Sequence, residues 1–414
     1  MEELFEQLDL VLNQVTGYIY PNEVELHWGI LVVVYPYLTG LVAGAFILAS
    51  LERVFNVKEV QPTYRLSLLT ALAFLIVAPL PLLGHLGHPE RAFEIFLTPQ
   101  LGSAMAMFGF VYAWYLTVVL VLEIWFDYRK DLVIWSHGET GWRKIVHKIL
   151  TLGATDLSEK SITFDRRMGK AITIIGIPSA FLLHGYVGFI FGSIKANPWW
   201  SSVLIPIVFL FSAIVSGIAL MVLIYMVTCL LRWKPIDMVC LDKLAAFLFY
   251  ALIIDVSLEM LDFIHRLYEA EESIGILSQL ISGKLFLSLV VLQVLLGTLV
   301  PIALLALFTP LMRRTGLVPI PDELRRMIYF GTVMLIQMGI FSTRWNVVIG
   351  GQLFSKSLRG LTVYKMQLLG LEGLLSAGAL MALPFLILWI LILIFPPWPE
   401  AEAKVPVEEA AAGL

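Results

Sequence analysis

Nine stretches of this chain each run for about twenty residues or more with almost no charge, a pattern that few folds accommodate. They lie near 27–50, 65–84, 101–126, 168–192, 202–231, 240–266, 284–308, 326–350 and 372–396. A hydrocarbon core about 30 Å thick is crossed by about 20 apolar residues in helical form. Strands of a membrane barrel would alternate apolar and polar residues instead, and no such alternation is present. Composition agrees: 59% of the 414 residues are hydrophobic and 14% are charged, against about 25% charged in a soluble domain. The expected fold is all-α, a polytopic membrane protein of about nine transmembrane helices.

The loops give the bundle a direction. Twenty of the 28 Lys and Arg fall in 51–65, 127–170, 231–243, 309–326 and the tail, seven fall in the other loops, and Arg344 lies inside span 8. Positive charge marks the cytoplasmic face. The N-terminus is therefore expected in the periplasm and the C-terminus in the cytoplasm of a bacterial or archaeal inner membrane. Four spans return the chain to the face it started from, so spans 1–4 and 5–8 read as two four-helix bundles, 27–192 (with a cytoplasmic loop at 127–167) and 202–350. Such halves permit a parallel repeat about an axis along the membrane normal. His85 and His265, each at the outer end of its half's second span, echo that repeat. Residues 351–396 add a connecting loop and a ninth helix.

At the ends of the chain, Leu4, Leu8, Val11 and Val15 make 1–26 a short periplasmic amphipathic segment. The acidic, Ala-rich 397–414 reads as a disordered cytoplasmic tail. The basic 127–170 segment, with Trp135 and Trp142, is expected to rest on anionic lipid or on a partner. Trp199, Trp200 and Trp233 sit at span edges, as an interfacial belt would. Cys229 and Cys240 read as small apolar residues, and two thiols cannot ligate an iron–sulfur cluster. The net charge of −4 names no class of partner, and nothing marks a nucleic-acid surface.

Ionisable groups within spans are expensive, and those present concentrate in the outer half. His27 opens span 1. His85, His88, Glu90 and Arg91 follow span 2, and His184 and Tyr186 lie past the middle of span 4. Asp255, Glu259, Asp262 and Arg266 are spaced 4, 3 and 4 residues apart and share one face of span 6, with His265 beside them. Three carboxylates on one face must look into the bundle, a water cavity or a basic partner such as Arg344. Two readings stay open for them: a buried ion-pair network that fixes packing, or a proton path or ligand pocket. His184 equally reads as a hydrogen-bonded core histidine. A bis-histidine haem is disfavoured, because no span carries two deep histidines at stacking intervals.

Four stretches resemble the NrfD/PsrC family, the membrane subunits of polysulfide reductase and related respiratory complexes. They are His27-Trp28-Gly29 with Tyr35-Pro36-Tyr37-Leu38-Thr39-Gly40 through Gly44, and Leu86-Gly87-His88-Pro89-Glu90-Arg91-Ala92-Phe93. The others are His184-Gly185-Tyr186-Val187-Gly188 with Pro198-Trp199-Trp200, and Arg344-Trp345-Asn346 through Gln352. The first and fourth are most similar to large members with extra helices, such as the menaquinone reductase complex of sulfate reducers. The resemblance implies menaquinone or menaquinol bound in the first bundle near the outer face, and that face covered by an iron–sulfur partner. It makes His27 and Tyr186 hydrogen-bond partners of the quinone, with Trp28, His184 and His85 around them. His85 stands where the family often has Asp, so its proton role is open. Molybdopterin-type and multihaem cytochrome c subunits are further partners of such complexes.

The residues themselves agree with that implication. A Tyr hydroxyl donates and accepts, a His changes charge near neutral pH, and Gly40 and Gly44 let helices approach closely. The leading expectation is therefore a quinone-interacting subunit of a menaquinone oxidoreductase complex, with no haem, iron–sulfur cluster or other metal of its own. A second expectation adds proton translocation through Asp255, Glu259, Asp262 and His265, with Glu123 at the inner end and Gln293 and Gln337 extending the path. Glu372, at the outer start of span 9, falls nearer the quinone region. Arg91, Arg266 and Arg344 are structural or ion-pairing. A membrane anchor without a ligand is the bland alternative, and a secondary transporter is disfavoured because four-span halves cannot be inverted repeats.

Overall fold

The computed structural model describes residues 26, 28–100, 102–268, 274–308, 321–353 and 361–398, with only the backbone of 104–106 and of Arg266. The amphipathic segment expected at 1–26 lies outside these residues apart from Leu26, as do His27, the Arg266 side chain and the tail beyond Trp398. Among the described residues nine helices are long and apolar enough to cross a membrane, and the fold is all-helical. They are α1 (Ile30–Arg53), α2 (Lys58–His85), α3 (Met107–Gly138), α4 (Glu159–Gly192), α5 (Ile205–Leu231), α6 (Met238–His265), α7 (Phe286–Phe308), α8 (Asp322–Gly350) and α9 (Leu374–Ile394).

Two helices are longer than their apolar windows. α3 runs on to Gly138 and α4 begins at Glu159, inside the segment expected as a loop. Hydropathy locates the lipid-matched window, whereas a helix continues as long as its polar turns find partners. Here Arg129 supplies them. Its guanidinium donates to Asp165 (2.6 Å), to the Asp156 carbonyl (2.7 Å) and to Ser161 (2.7 Å). Ser158 caps α4 by accepting from the Ser161 N–H. Between these helices Trp142–Leu150 forms a short amphipathic helix. It turns His147 inward, against the Ile394 carbonyl at the end of α9 (2.8 Å), and leaves Trp142, Ile145 and Ile149 exposed.

α1 and α5 lie side by side at the centre. Their crossing is a glycine contact: a Cβ on Gly44 would collide with the Ala213 carbonyl, and one on Gly217 with the Gly44 backbone. Gly297 of α7 and Gly339 of α8 meet in the same manner. Without a hydrophobic drive between helices in lipid, such close approach is what dispersion needs. Neighbour relations repeat between the halves. α1 packs on α2 and α4 as α5 packs on α6 and α8, and each central helix also touches the fourth helix of the other half. The third helix of each half is partly π-helical, over Tyr115–Val121 and Phe286–Leu299.

The ninth helix is an addition to the first half. It packs on α2, where Phe74 and Phe385 meet edge to face at 5.4 Å. At its far end the Trp398 indole donates to the Pro62 carbonyl (2.8 Å). Trp199 and Trp200 differ from the interfacial belt expected of them. Both are buried, and their indoles donate to the Asn346 (2.8 Å) and Val347 (2.7 Å) carbonyls. The π-helical turn Asn346–Gly350 shifts the carbonyl register at the end of α8, and the two tryptophans bond there. Trp233 is 92% exposed.

Candidate functional site

Polar side chains gather in three places, and α1 borders each of them or connects to it. The first lies among α1, α3 and α4, toward the end that carries His85. Tyr186 of α4 is half-buried, its ring stacked on Phe108 (6.4 Å) and tilted against Phe189 (5.8 Å). Phe108 meets Tyr35 of α1 edge to face at 5.5 Å. The Tyr35 hydroxyl is buried with no hydrogen-bond partner among the described residues. A buried hydroxyl without a partner costs about 1–3 kcal/mol, so this position is suited to a ligand oxygen or a water. Tyr112 of α3 donates to the Leu75 carbonyl (2.8 Å).

Above this layer, segments from the far end of the chain clamp the start of α1. The Trp28 N–H donates to Gln352 Oε1 (3.0 Å) and its carbonyl accepts from Gln352 Nε2 (3.1 Å). The Ile30 N–H donates to the Tyr364 hydroxyl (3.1 Å). Trp28 itself stacks on Trp200 (5.5 Å). Glu372 reaches the same place: its Oε1 is 2.7 Å from His85 Nδ1, and a Cβ on Gly29 would lie 3.0 Å from its Oε2. Burial raises the pKa of the Tyr364 phenol, the Ile30 N–H opposes the rise and the Glu372 charge adds to it. Arg91 is exposed and forks onto Glu94 (2.9 and 3.0 Å), which holds the Glu94 carboxyl below its usual range.

The second place is the seam between the halves. His184 is fully buried. Its Nε2 accepts from Arg344 Nη2 (3.2 Å) and its Nδ1 faces Thr39 Oγ1 (3.3 Å). A guanidinium only donates, so Nε2 is the acceptor and the ring proton sits on Nδ1. Both ring nitrogens are thus engaged within the protein. Arg344 also donates to Ser212 (2.5 Å) and lies 4.1 Å from the centroid of Phe209. Its Nε and Nη1 have no partner among the described residues. Close by, the Tyr37 hydroxyl donates to Gln337 (2.7 Å), and Gln337 donates to the Ser216 carbonyl (2.7 Å).

The third place lies within the second half. Glu259 accepts from Gln293 Nε2 (3.2 Å), Gln293 accepts from Asn346 (2.8 Å), and Asn346 accepts from Ser288 (2.6 Å). Ser202 donates to Asp262. Glu259 and Asp262 line an open cavity of about 70 Å³ together with Gln293, Asn346, Trp199 and Phe263. Polar cavities hold a water once they exceed about 10–15 Å³, so this one has room for several. Asp255 is buried one turn further in, with Oδ1 unpartnered among the described residues. Asp255 and Glu259 are the carboxyl groups whose electrostatics reach Arg344, although it makes no ion pair within 4 Å among the described residues. His265 is exposed. Glu123, near the middle of α3, is buried and accepts from Thr173 (2.6 Å).

The expected site residues thus fall into separate groups. Trp28 and His85 share the clamp, Tyr186 borders the aromatic layer, His184 belongs to the seam, and Glu259 and Asp262 share the cavity. Sequence reasoning singled out neither Tyr35, Tyr364 nor Ser212 for a role. Tyr35 stood within a quoted motif, and its isolation from any partner is visible only in three dimensions.

Nine long apolar helices among the described residues, with polar side chains buried between them, define an integral membrane protein. The chain belongs to the polysulphide reductase NrfD family, whose model matches residues 21–356. It is similar to the C subunit of the selenate reductase of Mesobacillus selenatarsenatis, 37% identical over 203 residues, 48% of this chain and 47% of the relative. It is also similar to the protein NrfD of Escherichia coli, 27% identical over 197 residues, 47% of this chain and 58% of the relative. The chain thus spans about half the length of the curated relatives it matches.

Proposed function

We propose that the chain is the quinone-interacting membrane subunit of a respiratory oxidoreductase complex, working between menaquinone or menaquinol and an iron–sulfur subunit on the periplasmic face. The observation that carries this reading is the buried, unpartnered Tyr35 hydroxyl beside Phe108 and Tyr186. A quinone headgroup needs a flat apolar slot and hydrogen-bonding groups for its oxygens. The rings of Phe108 and Tyr186 supply the walls, and the Tyr35 and Tyr186 hydroxyls supply groups that both donate and accept. His27, which precedes the clamped Trp28, completes the set by the family resemblance. When bound, the quinone supplies two-electron, two-proton chemistry. The protein orients the ring, keeps water from it and offers proton carriers at the His85 end. That end is the periplasmic one in this reading, since the opposite loops hold most of the Lys and Arg.

Fluorescence-quench titration of the assembled complex with a naphthoquinone analogue tests the site. Tyr35→Phe, Tyr186→Phe and His27→Ala are each expected to weaken binding about tenfold, the worth of one hydrogen bond at about 1.4 kcal/mol. Unchanged affinity in all three would remove the assignment.

A specific observation also supports proton translocation as a second reading. The carboxyls of Glu259 and Asp262 border a cavity with room for several waters, which pass protons between carboxyl groups, and the bonded series Gln293, Asn346 and Ser288 fixes Glu259 there. Proteoliposomes decide between the readings: quinone turnover with no electrical or pH response excludes coupled pumping.

A further inference from the structure

We propose that Glu372, delivered by the ninth helix, is the carboxylate of a His85–Glu372 proton relay that connects the quinone region with the aqueous face at the His85 end. This rests on the quinone reading above and assigns the ninth helix a task within it.

The two side chains come from distant parts of the chain and meet at 2.7 Å, His85 Nδ1 to Glu372 Oε1. Their side chains are 23% and 40% exposed, so the pair stands at the boundary between packed protein and solvent, where a proton must cross. A carboxylate only accepts. The Nδ1 proton of His85 therefore points at Glu372, which leaves Nε2 as the free acceptor. A proton taken up at Nε2 allows the Nδ1 proton to move to Glu372 and from there to water. No net charge is left on the ring when the step is complete. The balance closes for quinol oxidation: two protons leave, by two passages through the pair with a flip of the imidazole returning the N–H to the Glu372 side between them, while two electrons leave to the partner's iron–sulfur centre. Quinone reduction runs the same steps backward.

The remainder of the outer loop is built to hold Glu372 there. Glu372 Oε2 comes within 3.0 Å of where a Cβ on Gly29 would stand, so the glycine gives the carboxylate its closest approach to the start of α1. Tyr364 and Gln352 fix the first turn of α1 beside it, and a carboxylate at a helix N-terminus is favoured by the helix dipole. The groups that face the pair are few. From the loop after α8 there is the Tyr364 phenol, kept protonated by its raised pKa. The start of α1, from Trp28 to Val34, carries no titratable side chain. On the α2 side His88 and Glu90 are engaged with each other at 3.0 Å, and Arg91 with Glu94. The charge of Glu372 is thus balanced by His85 and by the start of α1.

The test uses the assembled complex with a water-soluble naphthoquinol as donor. It reads the pH profile of kcat, the affinity for a naphthoquinone analogue, and the redox-induced infrared difference spectrum. Glu372→Gln keeps the hydrogen bond and removes the proton site. It is expected to lower kcat by about tenfold or more, to flatten the alkaline or acid limb of the pH profile, and to abolish a deuteration-sensitive carboxyl band, all with analogue affinity unchanged. Glu372→Asp should restore part of the rate. Should Glu372→Gln fail to assemble, His85→Gln, which can still donate to the carboxylate and cannot relay, is read in its place. A wild-type pH profile and intact carboxyl band in either variant overturn the relay. Failure of the wild-type complex to bind the analogue at all overturns the quinone reading instead.

Discussion

Arg344 is the most consequential single charge in the bundle, and its removal tests how the seam is held. The guanidinium is fully buried, donates to Ser212 and His184 and stacks on Phe209. Interhelical hydrogen bonds in lipid average about 0.6 kcal/mol, and reach about 1.7. A desolvated cation–π contact adds about 2 kcal/mol. Truncation to Met would forfeit these and would also leave Asp255 and Glu259 without their cation. The net loss expected for Arg344→Met is about 1–3 kcal/mol, since the contacts forfeited are partly offset by the desolvation no longer incurred and no ion pair within 4 Å is broken. The diagnostic quantity is the coupling. In an Asp255→Asn background the same truncation should cost at least about 1 kcal/mol less, because one of the stranded charges is gone. Equilibrium unfolding in mixed micelles measures all four corners of the cycle. Coupling below about 0.5 kcal/mol with both Asp255→Asn and Glu259→Gln would refute the idea that charge balance, rather than packing alone, holds the guanidinium there.

Two further outcomes follow from the packing and from the cap of α4. Gly44→Ala and Gly217→Ala should each destabilise by about 1–3 kcal/mol, outweighing the gain of about 0.5–1 kcal/mol that Ala brings to a helix interior. The double variant should cost less than the sum, since both methyl groups enter one crossing. Gly331→Ala, with nothing within 4 Å of its would-be Cβ, should stabilise instead in the same unfolding assay. Hydrogen bonds from the Ser158 N–H and hydroxyl hold the Asp156 pKa below 3.8. A lowered carboxyl pKa contributes stability that is complete above the unfolded value and lost as pH falls through the folded one. Amide protection at Ser158 and Ser161 should therefore be flat from about pH 5 to 8 and decline only below 3.8, and Ser158→Ala, which loses the hydroxyl but keeps the N–H, should lessen that dependence without removing it.

The sequence discloses what the bilayer dictates and conceals what only distant segments can settle. The nine long apolar helices among the described residues were legible because each needs its own apolar run, which is a local property. The extensions of α3 and α4 beyond their apolar windows were not, since Arg129, Asp156, Ser161 and Asp165 stabilise them only once the two helices lie together. His184 illustrates the difficulty at the site. In the sequence it is an isolated polar residue in an apolar helix, open to either reading. The structure shows both of its nitrogens committed, one to Arg344 160 positions away and one to Thr39. The spacing of Asp255, Glu259 and Asp262 predicted a shared inward face, and the latter two do line one cavity. Their expected partner Arg344, however, bonds across the seam. The indoles of Trp199 and Trp200 also looked interfacial, because nothing in the linear pattern shows that a π-helical turn will offer them carbonyls.

One helix connects all of these arrangements. α1 presents Tyr35 to Phe108 of α3, Tyr37 to Gln337 and Phe341 of α8, Thr39 to His184 of α4, and Gly44 to α5. Residues two apart on a helix point roughly 200° apart, so Tyr35 and Tyr37 face opposite halves of the protein from within one turn. A helix enclosed on every side can be apolar all round, which is why α1 is almost wholly buried and carries no charge before its last turn. Hydroxyls placed on such a helix can only address other protein groups or a ligand, never lipid. Tyr37, Thr39 and their partners form a bonded seam; Tyr35 alone is left without a partner among the described residues. A helix that satisfies its other buried hydroxyls and leaves this one open, on the side where Tyr186 and the clamped Trp28 lie, favours a ligand at that point over a packing defect.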